Sequence, residues 1–147
     1  LTGLGRCLNV RKLSLNGANV SDLSELRALT KLQDVTLSHC TRRELLIPLH
    51  KSSLTHLTLV GCDLRGDFFR SFDRERALTA LSLTDCELDS TSGLEDFTGL
   101  TELTVRGVSG TLDWPALGSL PLQTVTADAL QADAIAAATT VAVTVVD

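Results

Sequence analysis

The chain has 147 residues, 44% of them hydrophobic and 21% charged, with a formal net charge of −5. That length and composition suit one globular domain. The negative balance, unopposed by any basic run, argues against a nucleic-acid backbone or an anionic membrane as the main partner. No stretch reaches the roughly 18 uninterrupted apolar residues of a membrane span. The nearest candidate, residues 127–146, is broken by Asp128, Gln131 and Asp133.

Along the chain one phrase recurs, LxxLxLxx followed by a small or sulfur-bearing residue. It begins at Val10, Leu32, Leu54, Leu78, Leu100 and Leu122, in steps of 22, 22, 24, 22 and 22 residues. A fixed period in this range predicts stacked units, each too small to bury its apolar face alone. Aromatic residues make up only 3%, which fits a core of repeated leucine layers better than one of packed rings. Residues 1–7 read as the tail of an earlier unit, and the chain starts at Leu1 and contains no Met. A single domain over residues 1–147, cut from a longer protein, is therefore expected.

Counting the first residue of each phrase as position 1, positions 4 and 6 are apolar around a polar position 5, the alternation of a strand with one buried face. After the first strand (Leu13, Leu15) the apolar spacing changes to threes at Val20, Leu23, Leu26 and Leu29, which suits a 3₁₀ return. Later returns carry helix-start spacing at Thr41 with Glu44 and Ser92 with Glu95, with Asp22 and Glu25 as a weaker case. Asp113, before Trp114 and Pro115, is a further expected cap. Residues 67–75, with Phe68, Phe69 and Phe72 and two extra residues, are expected to form the longest return. A seventh strand is expected at 141–145, with Val143 and Val145 facing in around Thr144. That makes the preceding unit about 18 residues long and its Ala-rich return, residues 132–138, thin.

The strings LTKLQDVTLSHC, SSLTHLTLVGC and ALTALSLTDC resemble the leucine-rich repeat family across nearly the whole chain. The resemblance implies an α/β solenoid: a curved parallel sheet on the concave side, with short helices and 3₁₀ turns on the convex side, about six repeats and a terminal strand. Position 9, usually Asn in that family, holds Ala18, Cys40, Cys62, Cys86, Val108 and Leu130. The apolar occupants forfeit a hydrogen-bond ladder, and the end units are expected to be less regular. Units of 22 residues are similar to the repeat arms of bacterial NACHT-type (STAND) signalling ATPases, of bacterial surface proteins and of small phosphatase-regulating subunits. No GxxxxGK[ST] occurs, so any nucleotide-binding module would lie outside this chain.

For function, the most regular column after leucine is position 5: Ser14, Thr36, Thr58, Ser82, Thr104, Thr126 and Thr144. At about 4.8 Å per strand these hydroxyls form a stripe roughly 29 Å long. They either bond one another as an ordinary strand surface or leave the face open for a partner's side chains. Varied residues flank them. Position 3 runs Lys12, Asp34, His56, Ala80, Glu102, Thr124; position 7 runs Asn16, Ser38, Val60, Thr84, Arg106, Asp128; position 8 runs Gly17, His39, Gly61, Asp85, Gly107, Ala129.

Stacking predicts pairs of Lys12 with Asp34, Asp34 with His56, and Arg106 with Asp128, each worth about 0–1 kcal/mol if exposed. The candidate binding face is Lys12, Ser14, Asp34, Thr36, His39, His56, Thr58, Ser82, Asp85, Glu102, Thr104 and Arg106. Asp34, His56 and Thr58 could be drawn as a catalytic triad, but an open sheet face shelters no oxyanion hole. No enzyme activity is expected.

Cys40, Cys62 and Cys86 match no zinc spacing and are expected as stacked, buried thiols, with Cys7 packed in a return. No metal or cofactor is expected. Free thiols favour a reducing, cytoplasmic setting, against one glycosylation-type triplet, Asn19-Val20-Ser21. His50 reads as exposed, and Trp114 as cover for a junction between units. The whole points to a non-enzymatic domain that recognises another protein, as the sensor arm of a larger signalling protein. The alternative is a secreted or cell-surface adhesion segment.

Overall fold

The computed structural model describes residues 2–51, 54–72, 77–109 and 112–147, apart from the side chains of His50 and Lys51. Seven strands lie among the described residues: β1 (Lys12–Asn16), β2 (Asp34–Ser38), β3 (His56–Val60), β4 (Ala80–Thr84), β5 (Glu102–Arg106), β6 (Thr124–Asp128) and β7 (Val143–Val146). They form one parallel sheet in sequence order, each strand pairing with the next. The register runs Ser14, Thr36, Thr58, Ser82, Thr104, Thr126, Thr144, so the predicted column is aligned through the shortened last step.

Burial follows the alternation. Val35, Leu37, Leu57, Leu59, Leu81, Leu83, Leu103, Val105, Val125 and Ala127 all face the core, none more than 2% exposed. Leu32, Leu54, Leu78, Leu100 and Leu122 close it at the strand entrances. At the edges the cover thins. Leu13 and Leu15 of β1 are only half-buried, and Val145, expected to face in, is 57% exposed on the last strand.

The returns are mostly 3₁₀, as the spacing of threes requires. Leu26 N donates to Leu23 O, Leu29 N to Leu26 O and Leu32 N to Leu29 O, so every third residue points inward. Ser24–Ala28, Arg43–Lys51, Phe69–Ser71, Leu94–Asp96 and Pro115–Ser119 are all of this kind. The longest 3₁₀ run among the described residues is Arg43–Lys51; the return expected to be longest, 67–75, lies in the longest span between strands, and part of it (73–76) is outside the described residues. In the Phe-rich unit the additional bulk is aromatic. All four phenylalanines of the chain meet edge-to-face, with centroids 5.3 Å apart for Phe68–Phe69, Phe68–Phe72 and Phe72–Phe97 and 6.0 Å for Phe69–Phe97.

The expected capping boxes give way to bonds across units and to short local turns. Glu25 does not reach back to Asp22 but accepts Gly3 N and Gly5 N at 3.0 and 2.7 Å, tying two neighbouring returns. Asp22 instead holds Ser24. Glu95 accepts Gly93 N at 2.8 Å, while Ser92 N is capped by Ser90 Oγ. Thr41 and Glu44 make no capping bond among the described residues. Asp113 is not a side-chain cap; its carbonyl accepts Thr91 Oγ1 at 2.7 Å. Of these carboxylates Glu25 serves the neighbouring turn, while Asp22 and Glu95 bond two residues away in their own.

The shortest unit contains the longest regular helix. Its Ala-rich return is α1 (Ala129–Ala138), ten residues and the one α-helix among the described residues. Alanine's high helical propensity favours the α form there, and Asp128 caps it by accepting Gln131 N at 3.1 Å. The helical start turns Leu130, at position 9, outward, 58% exposed. Gln131 takes the inner place. It is fully buried, accepts Trp114 Nε1 at 3.3 Å and donates to Val108 O at 3.4 Å. Trp114 thus covers a junction between units as expected, 2% exposed. No helix among the described residues is long and apolar enough to cross a membrane.

Two substitutions check this core. Leu81→Ala should cost about 2–5 kcal/mol in urea unfolding as a cavity in the centre of the sheet; a loss below about 1 kcal/mol would place Leu81 outside it. Gln131→Ala should cost about 1–3 kcal/mol by stripping a hydrogen bond from the buried Trp114 indole, with a shift in tryptophan fluorescence as the second measurement.

Candidate functional site

The face of the sheet opposite the core carries the predicted columns. Ser14 and Thr144 are exposed and the five hydroxyls between them half-buried. None of them bonds another among the described residues. The hydroxyl ladder exists, but at position 2, which the sequence reading passed over. Thr55 Oγ1 donates to Gln33 O at 3.1 Å, Thr79 Oγ1 to Thr55 O at 3.1 Å and Thr101 Oγ1 to Thr79 O at 3.2 Å. These threonines brace the strand entrances. Those of position 5 keep their donors and acceptors for solvent or a partner.

One predicted pair forms. Lys12 Nζ lies 3.0 Å from Asp34 Oδ2. Asp34 and His56 are register partners, yet His56 turns to Thr55, with Nδ1 and Oγ1 2.9 Å apart. No acid–base contact supports a triad with Thr58. Arg106 does not meet Asp128: its Nη2 donates to Asp147 O at 2.6 Å. Asp128 is occupied by Gly107 N and by the start of α1. Glu102 is exposed at the end of the position 3 column, and Thr104 continues the stripe. The candidate residues within the strands therefore share one face, though fewer of their charges pair than spacing predicted.

At the strand exits the backbone turns left-handed at position 8. His39, Gly61, Asp85 and Gly107 have φ of 54°, 60°, 51° and 59°. The turn lets each amide meet the next unit: His39 N donates to Val60 O, Gly61 N to Thr84 O and Asp85 N to Arg106 O. The His39 ring lies over Gly61, where an added Cβ would stand 3.0 Å from Nδ1, and the Asp85 carboxylate likewise covers Gly107. His39 and Asp85 are exposed on this rim beside the sheet face.

Behind the rim sit the thiols. Cys40, Cys62 and Cys86 are buried and free, whereas Cys7, expected to be packed, is exposed after the short 3₁₀ turn Leu4–Arg6. Cys62 Sγ donates to Val60 O and Leu37 O, and Cys86 Sγ to Thr84 O and Leu59 O, so the two thiols bond the backbone of their own strand and of the one before. Burial, with the neighbouring Cys62 adding to it, pushes the Cys40 thiol up to about 11. Among the described residues no three His, Cys, Asp or Glu side chains gather as a metal site.

A charged cluster that periodicity does not reveal lies just past the thiols. Arg65 binds Asp63 at 2.7 Å and Glu87 at 3.3 Å, Arg43 Nη1 donates to Arg65 O, and Gly66 N donates to Asp89. The Arg65 hydrogen bond holds the Asp63 carboxyl well below its ordinary value, at about 2. Because that value is depressed in the folded chain, the contact stabilises above the ordinary carboxylate range and is lost as pH falls towards 2. Arg65→Gln should raise the Asp63 midpoint towards 3.8 in a side-chain NMR titration. An unchanged midpoint would assign the shift to another neighbour.

No family model, curated protein or solved structure matches this chain.

Proposed function

We propose that this chain is a solenoid of the leucine-rich repeat type that recognises another protein through its open sheet face, without catalysis. In this reading the strand face is the concave surface, and the chain is the sensor arm of a larger cytoplasmic signalling protein. The observation that carries the proposal is the split between two hydroxyl columns. Thr55, Thr79 and Thr101 spend their hydroxyls on the backbone, while Thr36, Thr58, Ser82 and Thr104 stand in register with theirs free.

Short, uncommitted hydroxyls between charged columns favour contact with a partner's longer side chains. They leave room above the sheet and lose few hydrogen bonds to water that a partner does not replace. Free buried thiols support the reducing setting. His56 bonding Thr55 and Asp34 pairing with Lys12 support the non-enzymatic reading, since neither orients the other.

The test is affinity capture from a lysate of the source cells with wild-type, Thr58→Arg and Ser82→Arg chains. Each variant should lose the protein that wild type retains, by tenfold or more, with circular dichroism and melting unchanged. Equal retention by both variants would move the interface to the returns or the rim.

A further inference from the structure

Cys62 and Cys86 follow β3 and β4 at the same position, each one residue before the parallel bridge that pairs Asp63 with Glu87. Parallel neighbours stand about 4.8 Å apart, inside the roughly 4.4–6.8 Å that disulfide-linked Cα atoms span. Both sulfurs aim back along the stack, Cys62 Sγ to Leu37 O at 3.7 Å and Cys86 Sγ to Leu59 O at 3.4 Å. Cys40 is placed differently: its sulfur fills the hollow of Gly17, where an added Cβ would stand 2.9 Å from it.

The pair is buried, yet one of its members has a way in. A cavity of about 170 Å³ at the strand exits is lined by Gly61, Cys62, Asp63, Arg65, Asp85 and Glu87. Of the three buried cysteines, Cys62 alone is in its wall. Three carboxylates against one guanidinium make the entrance acidic, which repels anionic disulfide reagents and admits a small neutral oxidant.

We propose that Cys62 and Cys86 are a disulfide-forming pair, oxidised by a hydroperoxide that enters through this cavity. The Cys62 sulfur, as thiolate, attacks the peroxide O–O bond; an S–O bond forms, the O–O bond breaks, and the leaving oxygen takes a proton as water. The Cys86 sulfur then attacks the Cys62 sulfenic sulfur. An S–S bond forms, the S–O bond breaks, and the hydroxide leaves as water with the Cys86 proton. Two thiols are oxidised by two electrons while one hydrogen peroxide becomes two waters. The product ties β3 to β4 at the rim, and a thiol reductant reverses it.

The experiment treats the folded chain with a small excess of hydrogen peroxide and counts thiols after quenching and denaturation. Cys7, exposed, is removed as Cys7→Ser to suppress cross-linking between chains. The thiol count should fall from three to one, a peptide bearing Cys62 should be joined to one bearing Cys86, and dithiothreitol should restore all three. In Cys7→Ser/Cys86→Ser, dimedone should trap a sulfenic acid on Cys62; in Cys7→Ser/Cys62→Ser, Cys86 should stay reduced. Three persisting thiols, under peroxide that fully oxidises a free cysteine peptide, would overturn the proposal. So would a cross-link between Cys40 and Cys62.

Discussion

Everything in this molecule rests on the parallel hydrogen-bond ladder, in which each strand finds its backbone partners only in the units before and after it. A parallel ladder allows no local hairpin to satisfy a strand, so every unit depends on a neighbour about 22 residues away. Register is then not negotiable: a one-residue slip would turn Leu57 and Leu59 to water and Thr58 to the core. The ladder thereby forces chemically similar residues into straight columns, and each column acquires one task.

The tasks separate by distance along the strand. At the entrance, threonines brace backbone carbonyls. In the middle, leucines point down and hydroxyls point up. At the exit, left-handed backbone turns the chain, and thiols drop into the core. Polar groups on the return side, such as Glu25, Asp89 and Ser92, bond to the adjacent unit more than to their own. Stability is therefore spread along the stack, and the sheet face is the part least occupied by internal bonds.

Strand positions, register and the buried cysteines were legible in the sequence because period and alternation report directly on which side of a strand a residue occupies. The stripe from Ser14 to Thr144 was legible down to the 18-residue last step. Side-chain partners were legible only for Lys12 with Asp34 among the three predicted pairs. His56 chooses Thr55 over Asp34, and Asp128 chooses the helix start over Arg106, because a local amide or hydroxyl competes with a cross-strand charge that water already screens. Gln131 was hidden for a different reason. Its burial follows from the α-helical phase after Asp128, which overrides the column count, and its partner Trp114 lies 17 residues away. The Asp63–Arg65–Glu87 cluster falls in the part of each unit where the phrase has no fixed letters.

The alternation of His39, Gly61, Asp85 and Gly107 at the rim couples the evolutionary fates of neighbouring units. A side chain in one unit occupies the space that a Cβ in the next would need, so glycine at 61 and 107 is set by its neighbour as well as by its own φ. Enlarging Gly61 requires His39 to shift or shrink, and the same trade binds Gly107 to Asp85. Substitutions on this rim should thus accumulate as compensated pairs one repeat length apart, and shuffling a single unit within the array would leave two side chains competing for one hollow.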